Sequence, residues 1–495
     1  VAEDDGYRPD PRRWRALAVT LAAGFMTLLD VSIVNVALPS MQRGLHSSPQ
    51  GIQWVVSGYA LAFGLTLVAG GRLGDVLGRR RMFLIALTAF VLTSAVAGAA
   101  PNEVLLVTAR LAQGLAAGML TPQNSGLIQD LFRGAERGRA FGMLGATIGV
   151  STAAGPVIGG LILALFGEQD GWRWVFYVNV PIGAVALVLT MRLVPPIQPR
   201  QASVVSRIDF VGMALLGLAT VGVLFPLVQA QGGGNPLLWL IVPIAAVLGF
   251  AFVRWERSRL DSGHSPLLDL RLFTETSGFA SGITLASIYF CGFSGIWLVM
   301  SLFFQDGLHY SPLQSGLSVT PFALGSAATA AVAGRLVGQW GRRLTVTGLS
   351  LIVVGLGVAA LLIPRVSPAD TGFALIAPLL VAGIGGGAVI SPNTTLTLAC
   401  VPTRMAGAAG GALQTGQRIG TAVGTAVLAG AFRVTVGRTS GDFPAAASVA
   451  IACSIVFILA ALAVAVVELR AGRHTRPAGD GAEFDDAVHA SDVHR

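Results

Sequence analysis

Lysine is missing from this chain, and all 33 basic residues are arginine. Charge of either sign is scarce, at 12% of 495 residues against 53% hydrophobic. Without lysine there is no Gly-Lys-Ser/Thr phosphate loop, so ATP hydrolysis within the chain is not expected. The three cysteines, Cys291, Cys400 and Cys453, lie in or beside apolar segments. Their spacing fits neither metal ligation nor a disulfide framework. No nucleophile–base pair is visible, so the chain does not read as an enzyme and implies no cofactor and no metal. His46 and His309 read as turn residues, because neither has a second ligand nearby. The net charge of +8 does not call for nucleic acid, because its distribution explains it.

What fills the chain is apolar sequence in runs near the roughly 20 residues that cross a bilayer. Spans are expected near 16–39, 53–74, 82–100, 104–130, 140–165 and 172–194. After a polar linker (Pro195 to Arg207) come 208–230 and 237–255. A charged loop from Glu256 to Ser277 follows, then six spans near 279–304, 314–338, 344–364, 373–398, 408–432 and 444–468. The first run is too long for a secretory signal and reads as an uncleaved span. Residues 1–14 and 469–495 read as polar tails, the latter disordered. Fourteen spans put both termini on one side. That side then carries 26 arginines and the other 5, with Arg110 and Arg418 inside spans. The asymmetry places both termini in the cytoplasm. Trp172-Arg173-Trp174 reads as an interfacial anchor.

The chain also repeats. Gln42-Arg43-Gly44-Leu45-His46-Ser47-Ser48-Pro49 returns as Gln305-Asp306-Gly307-Leu308-His309-Tyr310-Ser311-Pro312, residue 305 against residue 42, a shift of 263. Gly71-Arg72-Leu73 returns at the same shift as Gly334-Arg335-Leu336, and Gly78-Arg79-Arg80 as Gly341-Arg342-Arg343. A duplicated six-span unit follows, 15–194 and 279–468, with the linker and two extra spans at 195–278 between the copies.

The loop Gly71-Arg72-Leu73-Gly74-Asp75-Val76-Leu77-Gly78-Arg79-Arg80-Arg81 is the centre of this pattern. Its glycines allow a tight turn and close helix approach, and its arginines must stay out of hydrocarbon. Asp75 lies within reach of Arg79 and Arg80, so a charge latch between helix ends is expected. The second copy has Gly338 where the first has Asp75. This loop resembles the signature between spans 2 and 3 of the major facilitator superfamily.

Of the 25 acidic residues, Asp30 alone is expected deep within a span. A carboxylate there is costly and by default functional; an apolar surrounding would suit proton pickup and release. A structural hydrogen bond to a neighbouring helix is the alternative. Its stretch, Leu29 to Pro39, resembles the first-span motif of the fourteen-span drug:proton antiporter branch. Arg110, in Arg110-Leu111-Ala112-Gln113-Gly114, either needs a buried partner or snorkels outward. The stretch resembles the span-4 motif, which implies a part in proton coupling. Gly155-Pro156-Val157-Ile158-Gly159-Gly160 combines a bend with small packing residues. It resembles the antiporter motif of exporters, with Ser151 where glycine is frequent; a kinked packing helix is the other reading. Asp130 either joins the latch or is a solvated helix-end charge.

The resemblance implies an all-α major facilitator fold: two six-helix bundles around a cavity, two extra helices packed outside, and alternating access by rocking. It further implies a monomeric, proton-coupled antiporter in a bacterial inner membrane that exports small hydrophobic drugs or antibiotics. Export of a native metabolite, siderophore or lipid is an alternative, as is a membrane sensor that has lost transport. Asn35, Gln123, Asn124, Asn393, Gln414 and Arg418 are expected at the substrate cavity. The span at 373–398 holds no Asp or Glu. Neutral, zwitterionic or monocationic substrates are therefore expected, with dications handled poorly. Arg418, if it faces the cavity, shifts this toward neutral or anionic compounds.

Overall fold

A computed structural model describes residues 9–167, 169–195, 209–230 and 235–471. Residues 1–8, most of the linker after Pro195, and the tail from 472 lie outside the described residues. The first bundle comprises α1 (Arg13–Leu45), α2 (Pro49–Leu77), α3 (Arg79–Gly98), α4 (Glu103–Leu131), α5 (Gly134–Phe166) and the broken pair α6 (Trp172–Tyr177) and α7 (Asn179–Leu193). Next come α8 (Phe210–Ala230), α9 (Ile241–Asp261) and the single turn α10 (Arg271–Thr274). The second bundle comprises α11 (Phe279–Leu302), α12 (Pro312–Trp340), α13 (Arg342–Leu362), a turn α14 (Thr371–Ala374) leading into α15 (Ile376–Thr397), α16 (Ala406–Arg438) and α17 (Phe443–Ala471). Thirteen helical segments among the described residues have the length and apolarity to cross a membrane. The 33-residue α5 takes the remaining place in the order. Several helices outrun the hydrocarbon: 33 residues extend about 50 Å.

The duplication is built into the backbone. His46 and His309 occupy the same turn with φ of 52° and 56°. Ser48 and Ser311 each cap the following helix through the side-chain oxygen, with proline at its first position. Gly78 and Gly341 both take positive φ at the tight turn that joins the second and third helices of each copy. A side chain there would be strained, which explains glycine in both.

Each bundle packs through small residues. A Cβ on Gly114 would strike the Tyr59 carbonyl, and one on Gly118 the Phe63 carbonyl, so α4 and α2 touch backbone to backbone. This is the close helix contact that lipid-embedded bundles favour. Trp172 is fully buried at the end of α1, α2 and α6, whereas Trp174 is exposed. The expected anchor is thus a single tryptophan, and Trp172 belongs to the core.

The bundles meet along two seams. Along α5, Gly138, Gly142, Gly145 and Gly149 lie against α12 residues Ala327, Ala330 and Gly334, with Ser391 of α15 beside Gly145. Along α2, Gly71 meets Gly407, and Leu67 and Val68 meet Gly411 of α16. Both seams lie toward the face holding the tight turns and the two described chain ends, called here the terminal face. The extra helices do not both pack outside, as expected. α8 wedges between α2 and α16, with Leu224 against Gly64 and an apolar cluster joining Leu61, Leu224, Leu227 and Ala422. Only α9 lies beyond it, exposing Ile244, Val247 and Phe250.

Candidate functional site

Asp30 is fully buried halfway along α1, and Arg110 is 1% exposed on α4. Arg110 Nη1 donates to Asp30 Oδ2 at 2.6 Å and to Gln113 Oε1 at 2.7 Å. Its Nε donates to the Val55 carbonyl of α2 at 3.0 Å. Asp30 Oδ1 accepts from Gln113 Nε2 at 3.1 Å and from Asn179 Nδ2 of α7 at 2.9 Å. The guanidinium also sits 4.1 Å above the Tyr59 ring. Arg110 therefore points inward and does not snorkel. The surroundings of Asp30 are not apolar either: three side-chain donors on two helices satisfy the charged carboxylate. The network ties α1, α2, α4 and α7 together in the centre of the first bundle. Asn179 is a member that sequence reading passed over. A lone asparagine inside the apolar run 172–194 was its signal.

The latch forms on the terminal face. Asp75 Oδ1 accepts from Gly407 N and Oδ2 from Ala408 N, both at 3.0 Å. These are unpaired first-turn amides of α16, so a carboxylate of one bundle caps a helix of the other. Arg79 Nη2 donates to Asp75 Oδ1 at 3.0 Å and to the Thr403 carbonyl at 2.7 Å. Arg79 Nε meets Asp130 Oδ2 at 3.1 Å. Asp130 thus joins the latch and is not a freely solvated charge. Arg80 does not: it donates to the Met191 carbonyl of α7 at 2.6 Å. Gly71 and Gly78 serve the close α2–α16 approach and the turn, respectively.

The second copy keeps half of this arrangement. Arg342, the counterpart of Arg79, donates to Asn393 Oδ1 and Glu468 Oε1, each at 2.5 Å. Asn393 stands where the first copy has Asp130. With Gly338 in place of Asp75, no carboxylate from α12 reaches across the seam.

Other expected site residues fall in different places. Gln123 is buried and donates to the Gly70 and Met119 carbonyls, pinning α2 to α4 and leaving no open face. Asn393 likewise serves the Arg342 network, donating to the Gly282 carbonyl at 3.0 Å. Asn124 is buried with its Oδ1 unpartnered, Asn35 is exposed, and Gln414 keeps a buried, unpartnered Oε1. Arg418 lies over the Phe63 ring at 4.2 Å. On α5, Gly155 and Gly159 press on Ser32, Ile33 and Val36 of α1, while Gly160 has no close neighbour. The side chain of Pro156 lies outside the described residues; its backbone continues the helix.

Asp30 is not the sole buried acid in the helices. α9 runs on to Asp261, so Glu256 is helical and fully buried where a loop was expected. It lies beside Asp209, which accepts from Trp255 Nε1 at 2.9 Å and from Gly212 N at 2.9 Å. Glu256 follows Phe252 by four residues on the buried stripe of α9, and that spacing was the available signal.

The duplicated bundles agree with comparisons to known proteins. The Major Facilitator Superfamily description matches residues 20–425 and again 282–484, the latter spanning the second copy. A probable actinorhodin transporter of Streptomyces coelicolor is 36% identical over 86% of this chain and 73% of its own length. The puromycin resistance protein of Streptomyces alboniger is 34% identical over 93% of both chains. The tetracenomycin C resistance and export protein of Streptomyces glaucescens is 31% identical over 84% of this chain and 75% of its own. Among solved structures, the human organic anion transporter MFSD10 superposes with a TM-score of 0.67 at 16% identity, over 92% of this chain and all of that one. That likeness is one of fold. With two repeated helical bundles, a signature turn closing one face and these matches over most of its length, the chain belongs to the major facilitator superfamily of multi-pass membrane transporters.

Proposed function

We propose that this protein is a proton-coupled exporter of hydrophobic drugs or antibiotics, working as a monomer in a bacterial inner membrane. Its bundles are residues 15–194 and 279–468, joined through 195–278, and its terminal face is cytoplasmic. The buried Asp30–Arg110 pair is the observation that carries the reading. The names of the similar proteins, which describe antibiotic transport and resistance, support the substrate class.

In this reading the structure is the state shut toward the cytoplasm by Asp75, Arg79 and the glycine seams. Substrate leaves outward from this state. A proton from outside then neutralises Asp30 and leaves Arg110 without its counter-charge. Removing one partner of a buried ion pair costs about 3–5 kcal/mol. A swing of about 5.5 kcal/mol inverts a 1:99 population. Protonation alone thus supplies most of the bias needed to release the latch and face the cavity inward. Substrate binding supplies the remainder, and proton loss to the cytoplasm restores the pair. Arg110 meanwhile keeps the Val55 carbonyl, Gln113 and the Tyr59 ring, so it need not leave its site.

The test is export by the purified protein in liposomes under an imposed proton gradient, with a panel of uncharged polycyclic dyes and antibiotics. Uphill movement that an uncoupler abolishes is expected. Movement of none of them would favour a membrane sensor that has lost transport.

A further inference from the structure

We infer that Arg418 and Tyr59 form a binding subsite for the acidic group of an aromatic substrate, a carboxylate or a phenolate. The inference rests on the export reading for its role, though not for the site itself.

Three arginines are fully buried in the described helices, whereas Arg418 is half-buried, and each of the three faces a carboxylate. Arg79 has Asp75 and Asp130, Arg110 has Asp30, and Arg342 has Glu468. Arg418, twelve residues into the 33-residue α16, has none among the described residues. Its guanidinium lies on the Phe63 ring of α2, 4.2 Å from the centroid. A ring face attracts a cation without neutralising it and takes none of its five N–H groups in the plane. A charged group at membrane depth with no counter-charge marks a ligand pathway by default.

A neighbour is unspent as well. Tyr59, one turn before Phe63 with ring centroids 6.0 Å apart, is 4% exposed, and its hydroxyl has no partner. Buried polar atoms in folded proteins are nearly always bonded, and here the Tyr59 hydroxyl accompanies an unpaired cation between the bundles. Together they offer the guanidinium fork and a hydroxyl to one planar oxyanion, with the Phe63 and Tyr59 rings beside it. The site also touches the proton network, because the Arg110 guanidinium lies over the Tyr59 ring. An anion bound at Arg418 from α16 and a proton held near Asp30 from α1 would therefore share one tyrosine. That is a physical route by which substrate and proton each bias the same seam.

The test is direct binding to detergent-purified full chain, read by fluorescence, with anthracene-9-carboxylate and the matched neutral anthracene-9-carboxamide. Wild type should bind the carboxylate at least tenfold more tightly. Arg418→Gln should reduce that preference to within about twofold, Arg418→Lys should keep part of it, and Tyr59→Phe should weaken the carboxylate alone. Equal binding of both probes by wild type would overturn the inference. So would a carboxylate preference that survives Arg418→Gln in a variant of normal melting temperature. Export of an uncharged dye by the same proteins is measured alongside. Its absence in wild type would tell against the export reading, while the binding ratio still decides the anion site.

Discussion

Asp30 and Asp75 are both buried carboxylates in apolar helices, yet their partners give them different work. Asp30 faces a side-chain charge, Arg110, plus two amides, so in the proposed cycle its proton is traded against an ion pair. Asp75 faces two fixed backbone amides across the seam, so its effect is mechanical. Asp75→Asn keeps one acceptor and loses the charge. A helix-cap loss of about 1 kcal/mol should move the closed–open balance about fivefold toward an open terminal face, with insertion unchanged. Transport kinetics identical to wild type would contradict the latch. Arg110→Lys should fail more severely, because one ammonium cannot serve Asp30, Gln113 and the Val55 carbonyl together. Export should fall at least tenfold while the melting temperature shifts little, which paired transport and melting measurements would read. Residues of this kind were legible in the sequence because a charge inside an apolar run is conspicuous. Asn179 was passed over, since a neutral amide in such a run is less conspicuous than a charge. Glu256 was missed because charge density at the end of α9 resembles a loop, and only its spacing from Phe252 pointed otherwise.

At the scale of helices, the repeat predicted the pairing of turns, caps and arginines well. It could not predict which helix faces meet across the molecule, since a glycine row fits any close partner. The row Gly138, Gly142, Gly145 and Gly149 on α5 is such a case, and its partner α12 lies in the other bundle. The wedge position of α8 is another: its apolar sequence fits lipid and protein equally. The asymmetry of the seams gives a prediction. The α2–α16 seam has a charged cap, whereas the α5–α12 seam rests on close packing of glycine backbone and small apolar side chains. Gly334→Val would drive a side chain into Gly138 and Gly142, and overpacking of this kind costs about 1–3 kcal/mol. Spin labels at Ala135 and Gly338 should then show a longer, broader distance distribution than in wild type. An unchanged distribution would mean the seam yields without opening.

For the whole molecule, the arginine asymmetry predicts a cytoplasmic terminal face and the native cysteines test it. Cys400 is exposed in the loop between α15 and α16 on the terminal face, while Cys291 is buried and Cys453 half-buried. A membrane-impermeant maleimide should label Cys400 in inside-out vesicles and leave intact cells unlabelled; the reverse would invert the topology. The central claim is that Asp30 couples protons to export. The most direct measurement is accumulation of an uncharged polycyclic dye, such as Nile red, in inside-out proteoliposomes with an acidic interior, for wild type and Asp30→Asn. Wild type should concentrate the dye against its gradient until an uncoupler is added. Asp30→Asn should bind the dye and let it equilibrate without concentrating it. Uncoupler-sensitive accumulation by Asp30→Asn at the wild-type level would contradict the account.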